Sequence, residues 1–167
     1  MTKQGAEQVD WLRQQAIFGA LSDDAIRILL NDTEIEAVAA GDFYFREGDI
    51  GNAIYMLQEG HAGFFRRKSG NSEFIQIRDI HPGDSFGVMA ILGIYPRSGS
   101  LRALSDCTAL KITDAALFQL YQLNHDQYLL LLMNMARELS RRLRDSDSLL
   151  LEQMADKEQL AARSRLS

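Results

Sequence analysis

The chain is poor in the residues that mark several protein classes. Its 167 residues hold 1 cysteine, 2 prolines and 3 histidines. A lone Cys107 excludes an intrachain disulfide and suits a reducing compartment; on its strand-like stretch it reads as a small buried apolar residue. So few prolines exclude a long proline-rich linker. His61, His81 and His125 are widely spaced, and no Cys/His pair has metal-ligand spacing. No apolar run reaches about 18 residues, so no membrane-spanning helix is expected. The first residues lack the apolar core of a signal peptide, which leads to the expectation of a cytoplasmic protein. Positive charge is scarce too: 18 Lys and Arg against 23 Asp and Glu give a net charge of −5. That balance disfavours DNA and anionic membranes, so an anionic ligand would need a local positive site. Catalytic signatures are missing as well. There is no Walker loop and no Gly-x-Gly-x-x-Gly, and Arg97-Ser98-Gly99-Ser100-Leu101 lacks both outer glycines of a nucleophile elbow. No enzyme and no cofactor are expected.

What is present is a hydrophobic fraction of 46%, enough for a packed core. Residues 1–32 read as a helical segment. Val9, Leu12, Ala16 and Ile17 recur at helical spacing. Ser22 opens a second helix, with Asp23 and Asp24 in its first turn and Ile26, Leu29 and Leu30 on one face. From 33 to 123 the period changes. Ile35, Ala37 and Ala39 alternate with polar residues, and so do Phe43 and Phe45 around Tyr44. Further short apolar runs follow, separated by Gly, Asn and Asp turns, with Ser69-Gly70-Asn71 as a hairpin candidate. The pattern predicts an antiparallel sandwich or roll. One stretch breaks it: a short helix near 87–93, bracketed by glycines, whose N-terminus offers backbone N–H groups to an anion.

The last part is helical again. Asp114 is placed to cap a segment carrying Leu117, Leu120 and Tyr121, and Asn124 caps a long helix over 124–163. Leu132, Ala136, Leu139, Leu143 and Leu150 follow 3-and-4 spacing, with Ser146 as the weak point. Such a seam predicts pairing with a second copy; folding back on its own domain is the alternative. Arg137, Arg141, Arg142 and Arg144 read as a solvated face with Glu138 and Asp145 as partners, or as a contact for a partner or phosphate.

Two stretches resemble the cyclic-nucleotide-binding domain family. Phe45 to Gly60 matches its E-G-D-x-G-x-x-x-Y-x-L-x-x-G framework through Glu47, Gly48, Asp49, Gly51, Tyr55, Leu57 and Gly60. Phe86 to Leu92, followed by Pro96 to Ala103, looks like its phosphate-binding cassette. The resemblance implies a mixed α+β protein: an antiparallel β-roll of the double-stranded β-helix or jelly-roll type, with N-terminal helices and a long C-terminal helix. It implies that Arg97 and Ser98 hold a cyclic phosphate, with Gly87, Val88, Met89, Ala90 and Gly99 around it, and cyclic AMP or cyclic GMP as ligand. An arginine suits that role because charge-assisted hydrogen bonds reach about 1.5–3 kcal/mol each.

Two departures stand out. Val88 occupies the place of the family's glutamate, which accepts from the ribose hydroxyl, and Gly99 that of an alanine. Val88→Glu is therefore expected to strengthen binding of ribose-containing ligands. Bacterial members also continue into a helix-turn-helix domain, and this chain stops after its long helix, so direct DNA binding is not expected. Two functional readings follow. One is a stand-alone sensor signalling through its C-terminal helix, as a homodimer, to a protein partner. The other is a degenerate roll that binds no nucleotide and serves as an interaction adaptor.

Overall fold

A computed structural model describes residues 3–68 and 73–164 and, within them, the side chains of 6–68 and 73–156. Two N-terminal helices, α1 (Lys3–Arg13) and α2 (Asp23–Leu30), flank a 3-10 turn at Ala16–Phe18. Ser22 caps α2, its hydroxyl accepting from Ala25 N at 3.2 Å. Eight strands follow: β1 (Thr33–Val38), β2 (Phe43–Phe45), β3 (Ala53–Glu59), β4 (Ala62–Arg67), β5 (Phe74–Ile80), β6 (Ser85–Phe86), β7 (Ser100–Ala103) and β8 (Cys107–Thr113). The short helix α3 (Val88–Gly93) interrupts them after β6. They form two four-stranded sheets, β1-β8-β3-β6 and β2-β7-β4-β5, with every pairing antiparallel. The expected roll is thus present. The hairpin residues Ser69-Gly70-Asn71 lie outside the described residues.

Within the first sheet β3 is buried on both faces, which is why it opens with the unbroken apolar run Ala53 to Leu57, whereas β8 interposes half-buried Thr108 and Lys111. Ile54, Met56, Leu110 and Ile112 pack against the helices, together with Phe18, Ile26, Leu29 and Leu120. Tyr55, Leu57, Cys107 and Ala109 turn the other way and meet Phe45, Phe86 and Leu101 inside the roll. In β1 the inward face differs from the expected one. Ile35 and Ala37 are exposed, whereas Glu36 and Val38 are half-buried. As an edge strand, β1 has only β8 as neighbour, so its alternation is a weak guide to the core side.

Two helices close the chain, α4 (Asp114–Leu123) and α5 (His125–Ser164), the latter 40 residues long. Thr113, not Asp114, caps α4, accepting from Ala116 N at 3.2 Å; Asp114 is its first helical residue. Asn124 caps α5 through Gln127 N. Leu131 and Met135 are fully buried, and Asn134 donates to the carbonyls of Ile17 and Gly19, fastening α5 to the 3-10 turn. The predicted seam shifts as a result. Leu132 and Leu139 pack against the core cluster. The face left free runs through Leu129, Met133, Ala136, Ser140, Leu143, Leu150 and Met154, which again keeps 3-and-4 spacing, with Asp147 as its one charged member. No helix among the described residues is long and apolar enough to cross a membrane.

Candidate functional site

The site is built from the end of β6, helix α3 and the loop that leads into β7. Gly87 has φ +81°, a conformation that favours glycine, and swings the chain from β6 into α3. The turn brings the Gly87 carbonyl to face Arg97. Arg97 is 4% exposed. Its Nη1 donates to Gly87 O and its Nη2 to Ala53 O, both at 2.9 Å. Its guanidinium carbon lies 4.2 Å from the centre of the Phe45 ring and 5.9 Å from that of Tyr55. The loop itself is tied down by the backbone: Arg97 N donates to Asp49 O and Gly48 N to Arg97 O.

Gly51 has a different reason from the one its place between strands suggests. It has no positive φ; space is what excludes a side chain. A Cβ there would stand 2.5 Å from Ala90 Cβ and 3.0 Å from both Cζ and Nε of Arg97. The framework motif and the cassette are thus one packing unit, with Arg97 pressed between Gly51 and Gly87. Gly51→Ala is expected to cost about 1–3 kcal/mol of stability, as overpacking does. A fall in urea midpoint at constant m-value checks it, and an unchanged midpoint would contradict this packing.

Beside Arg97 opens a cavity of about 430 Å³, mostly apolar. Of the expected site residues, Gly87, Val88, Met89, Ala90, Arg97 and Ser98 line it. Gly99 does not: a Cβ there would strike the Phe64 ring and Phe65 O at 2.6 Å, so its glycine serves close packing of the sheet. Val88 is buried and packs with the helix-side core. Four residues of α5, Leu139, Arg142, Leu143 and Ser146, form one wall, and Ile77 and Arg78 of β5 form another. Tyr128 and the leucines after it lie elsewhere, Tyr128 edge-on to Tyr121 at 5.3 Å.

Electrostatics in the site follow from burial. Burial lowers the Arg97 pKa from its usual value, against the pull of Tyr55 and Asp49. Burial also pushes the Tyr55 hydroxyl up to about 12. Arg97 Nε is buried without a hydrogen-bond partner. Arg137, Arg141 and Arg144 keep the expected solvated face, with Asp145 3.7 Å from Arg141, and Arg142 alone turns inward. Arg141 and Arg142 both pair with Glu138, at 2.8 and 2.7 Å, and Arg142 also donates to Ser85 O and Oγ at 2.8 and 2.9 Å. Burial opposes ionisation of Glu138, but these two arginines outweigh it and hold its pKa below the usual value. Sequence reasoning missed Arg78 and the inward turn of Arg142. The signal for Arg142 was its place one residue before Leu143 in the heptad pattern; for Arg78 there was none. Among the described residues no group of three or more His, Cys, Asp or Glu could hold a metal ion.

Comparison with known proteins agrees with this geometry. The family model of the cyclic nucleotide-binding domain matches residues 35–124. The cyclic AMP receptor protein of Thermus thermophilus is 29% identical over 81% of this chain and 61% of its own. The cAMP-dependent protein kinase regulatory subunit of Blastocladiella emersonii is 27% identical over 65% of this chain and 27% of its own. An uncharacterized ABC transporter ATP-binding protein of Mycobacterium bovis, Mb2593, is 35% identical over 47% of this chain and 24% of its own. The chain therefore spans less than two thirds of the length of these relatives, and about a quarter of the last two. Among solved structures, the Thermus thermophilus catabolite activator protein superposes with a TM-score of 0.70 at 27% identity, covering 81% of this chain and 62% of its own. A cyclic nucleotide-binding domain from Methylobacillus flagellatus reaches 0.78 at 21% identity, covering 90% and 84%, and attests the fold. With more than half its length matched, this chain belongs to the cyclic nucleotide-binding domain family.

Proposed function

We propose that the protein is a regulatory sensor domain that takes a small phosphorylated anion, of the cyclic-nucleotide type, in the cavity beside Arg97. Family members of this type are regulatory rather than catalytic. One observation supports the reading above the others. A buried guanidinium lines a cavity, has no carboxylate in ion-pair contact among the described residues, and leaves its Nε without a hydrogen-bond partner. An anion seated there would restore the electrostatic stabilisation that burial removes. Because α5 supplies a wall of the same cavity, occupancy would bias where that helix sits, provided the ligand binds its two positions unequally. Thermal unfolding in the presence of cyclic AMP and cyclic GMP tests it: a ligand that binds the folded state raises the midpoint. If neither ligand, at millimolar concentration, moves the midpoint, the sensor reading fails. The adaptor reading is then the one left, and buried Val88, which offers no acceptor to a ribose, favours it.

The same proposal includes a homodimer through the free face of α5. Leu143 and Leu150 are 64% and 57% exposed, and between them and Met133 the small residues Ala136 and Ser140 allow close approach of a second helix. Leu143→Asp with Leu150→Asp is expected to give a monomer by light scattering at tens of micromolar. A parent protein already monomeric at that concentration would remove this part of the proposal.

A further inference from the structure

Arg78 and Arg142 converge on one atom. Arg142 Nη2 donates to Ser85 O at 2.8 Å, and Arg78 Nη2 reaches the same oxygen at 3.4 Å. Both side chains line the cavity that Arg97 lines. Arg97 is held two residues further on, at Gly87 O. The two positions are therefore anchored on carbonyls two residues apart in the chain, on either side of Phe86.

The charges do not balance. Among the described residues the ion pairs of Glu138 take up Arg141 and Arg142, while neither Arg78 nor Arg97 has a carboxylate in contact. Two uncompensated guanidinium groups therefore face a largely apolar cavity. Burial, and then the charge of Arg142, pull the Arg78 pKa down to about 10, against the weaker pulls of Asp84 and Glu138. Guanidinium offers only donors, so the group that satisfies this second position must be an acceptor, and a charged one relieves the most repulsion. A cyclic mononucleotide brings one negative charge and answers only Arg97.

Resting on the sensor reading above, we infer that the cavity holds a second anion subsite formed by Arg78 and Arg142, and that its ligand is a mononucleotide-sized molecule carrying two separate phosphate groups. The space, about 430 Å³, suits a molecule of that size. The first phosphate meets Arg97 and the second meets the arginine pair, where it also touches α5 through Arg142. That contact links occupancy directly to the long helix.

Calorimetry on the full chain with adenosine 3′,5′-bisphosphate and with cyclic AMP tests the inference. The bisphosphate is expected to bind at least tenfold tighter. Arg78→Gln is expected to erase that preference by weakening the bisphosphate at least tenfold more than cyclic AMP, and to leave the urea midpoint unchanged or higher, because it removes a repelled charge. Arg78→Lys, which keeps the charge and loses the fork, is expected to fall between the two; it serves alone if the Gln variant does not fold. Equal affinity for the two ligands overturns the second subsite and leaves the sensor reading standing. So does a preference that survives Arg78→Gln, or an equal loss for both ligands. Binding of neither ligand overturns both.

Discussion

Arg97→Ala is expected to lower the unfolding free energy by about 2–4 kcal/mol and, in the same protein, to abolish the rise in midpoint that an anionic ligand produces. The first effect follows from two carbonyls, that of Ala53 buried and that of Gly87 half-buried. Ala53 O and Gly87 O each accept from the guanidinium, and leaving such a group unpartnered costs about 1–3 kcal/mol. The lost stacking on Phe45 adds to it. The loop backbone keeps its own bonds to Gly48 and Asp49, so the variant should still fold around an intact roll. The second effect is separable, because it is read against the variant's own baseline. A ligand at about a hundred times its dissociation constant stabilises by about 2.7 kcal/mol. For a chain of this length that corresponds to about 5–11 °C. A variant that loses stability and still shows the full shift would show that Arg97 is a structural clamp and not the anion's partner. A variant with unchanged stability would contradict the clamp.

The double role of Arg97 bears on what can be read from residues alone. The roll was legible because its signals are local: glycines at fixed offsets from Glu47 to Gly60, and a cassette whose helix is bracketed by Gly87 and Gly93. The cavity lining from Gly87 to Ser98 was legible for the same reason, since one continuous stretch supplies it. What failed depended on contacts between distant segments. Leu129 to Leu132 are four consecutive leucines, so the apolar stripe of α5 can be drawn in more than one phase. Asn134 decides the phase by anchoring to Ile17 O and Gly19 O, and that choice turns Leu132 and Leu139 inward and Leu129 and Met133 outward. The same rotation aims Arg142 at Ser85. Gly51 was placed correctly within a motif, but its reason is a neighbour 39 residues away, Ala90, which no local pattern contains.

Val88→Glu separates local resemblance from packing most sharply. The resemblance assigns this position to a ribose-binding glutamate, so restoring it should improve binding. The structure predicts a different dominant effect. Val88 is 1% exposed and packs among Ile54, Met56 and Leu110 on the helix side of the first sheet. Removing a buried valine forfeits about 1.5–3 kcal/mol, and a carboxylate in its place must be desolvated as well. The expected loss of stability at neutral pH is about 3 kcal/mol or more. Its pH dependence identifies the cause. A buried glutamate has a raised folded-state pKa, so the folded protein binds its proton more tightly than the unfolded chain does. The extra penalty is therefore absent below the unfolded value of about 4.3 and grows as pH rises from there towards the folded pKa. Unfolding of the variant and the parent compared at pH 4 and pH 7 should show the gap widening at the higher pH. A variant as stable as the parent at pH 7, with tighter binding of cyclic AMP, would mean that the new carboxylate turns into the cavity that position 88 lines, and that the helix-side packing is not what keeps valine there.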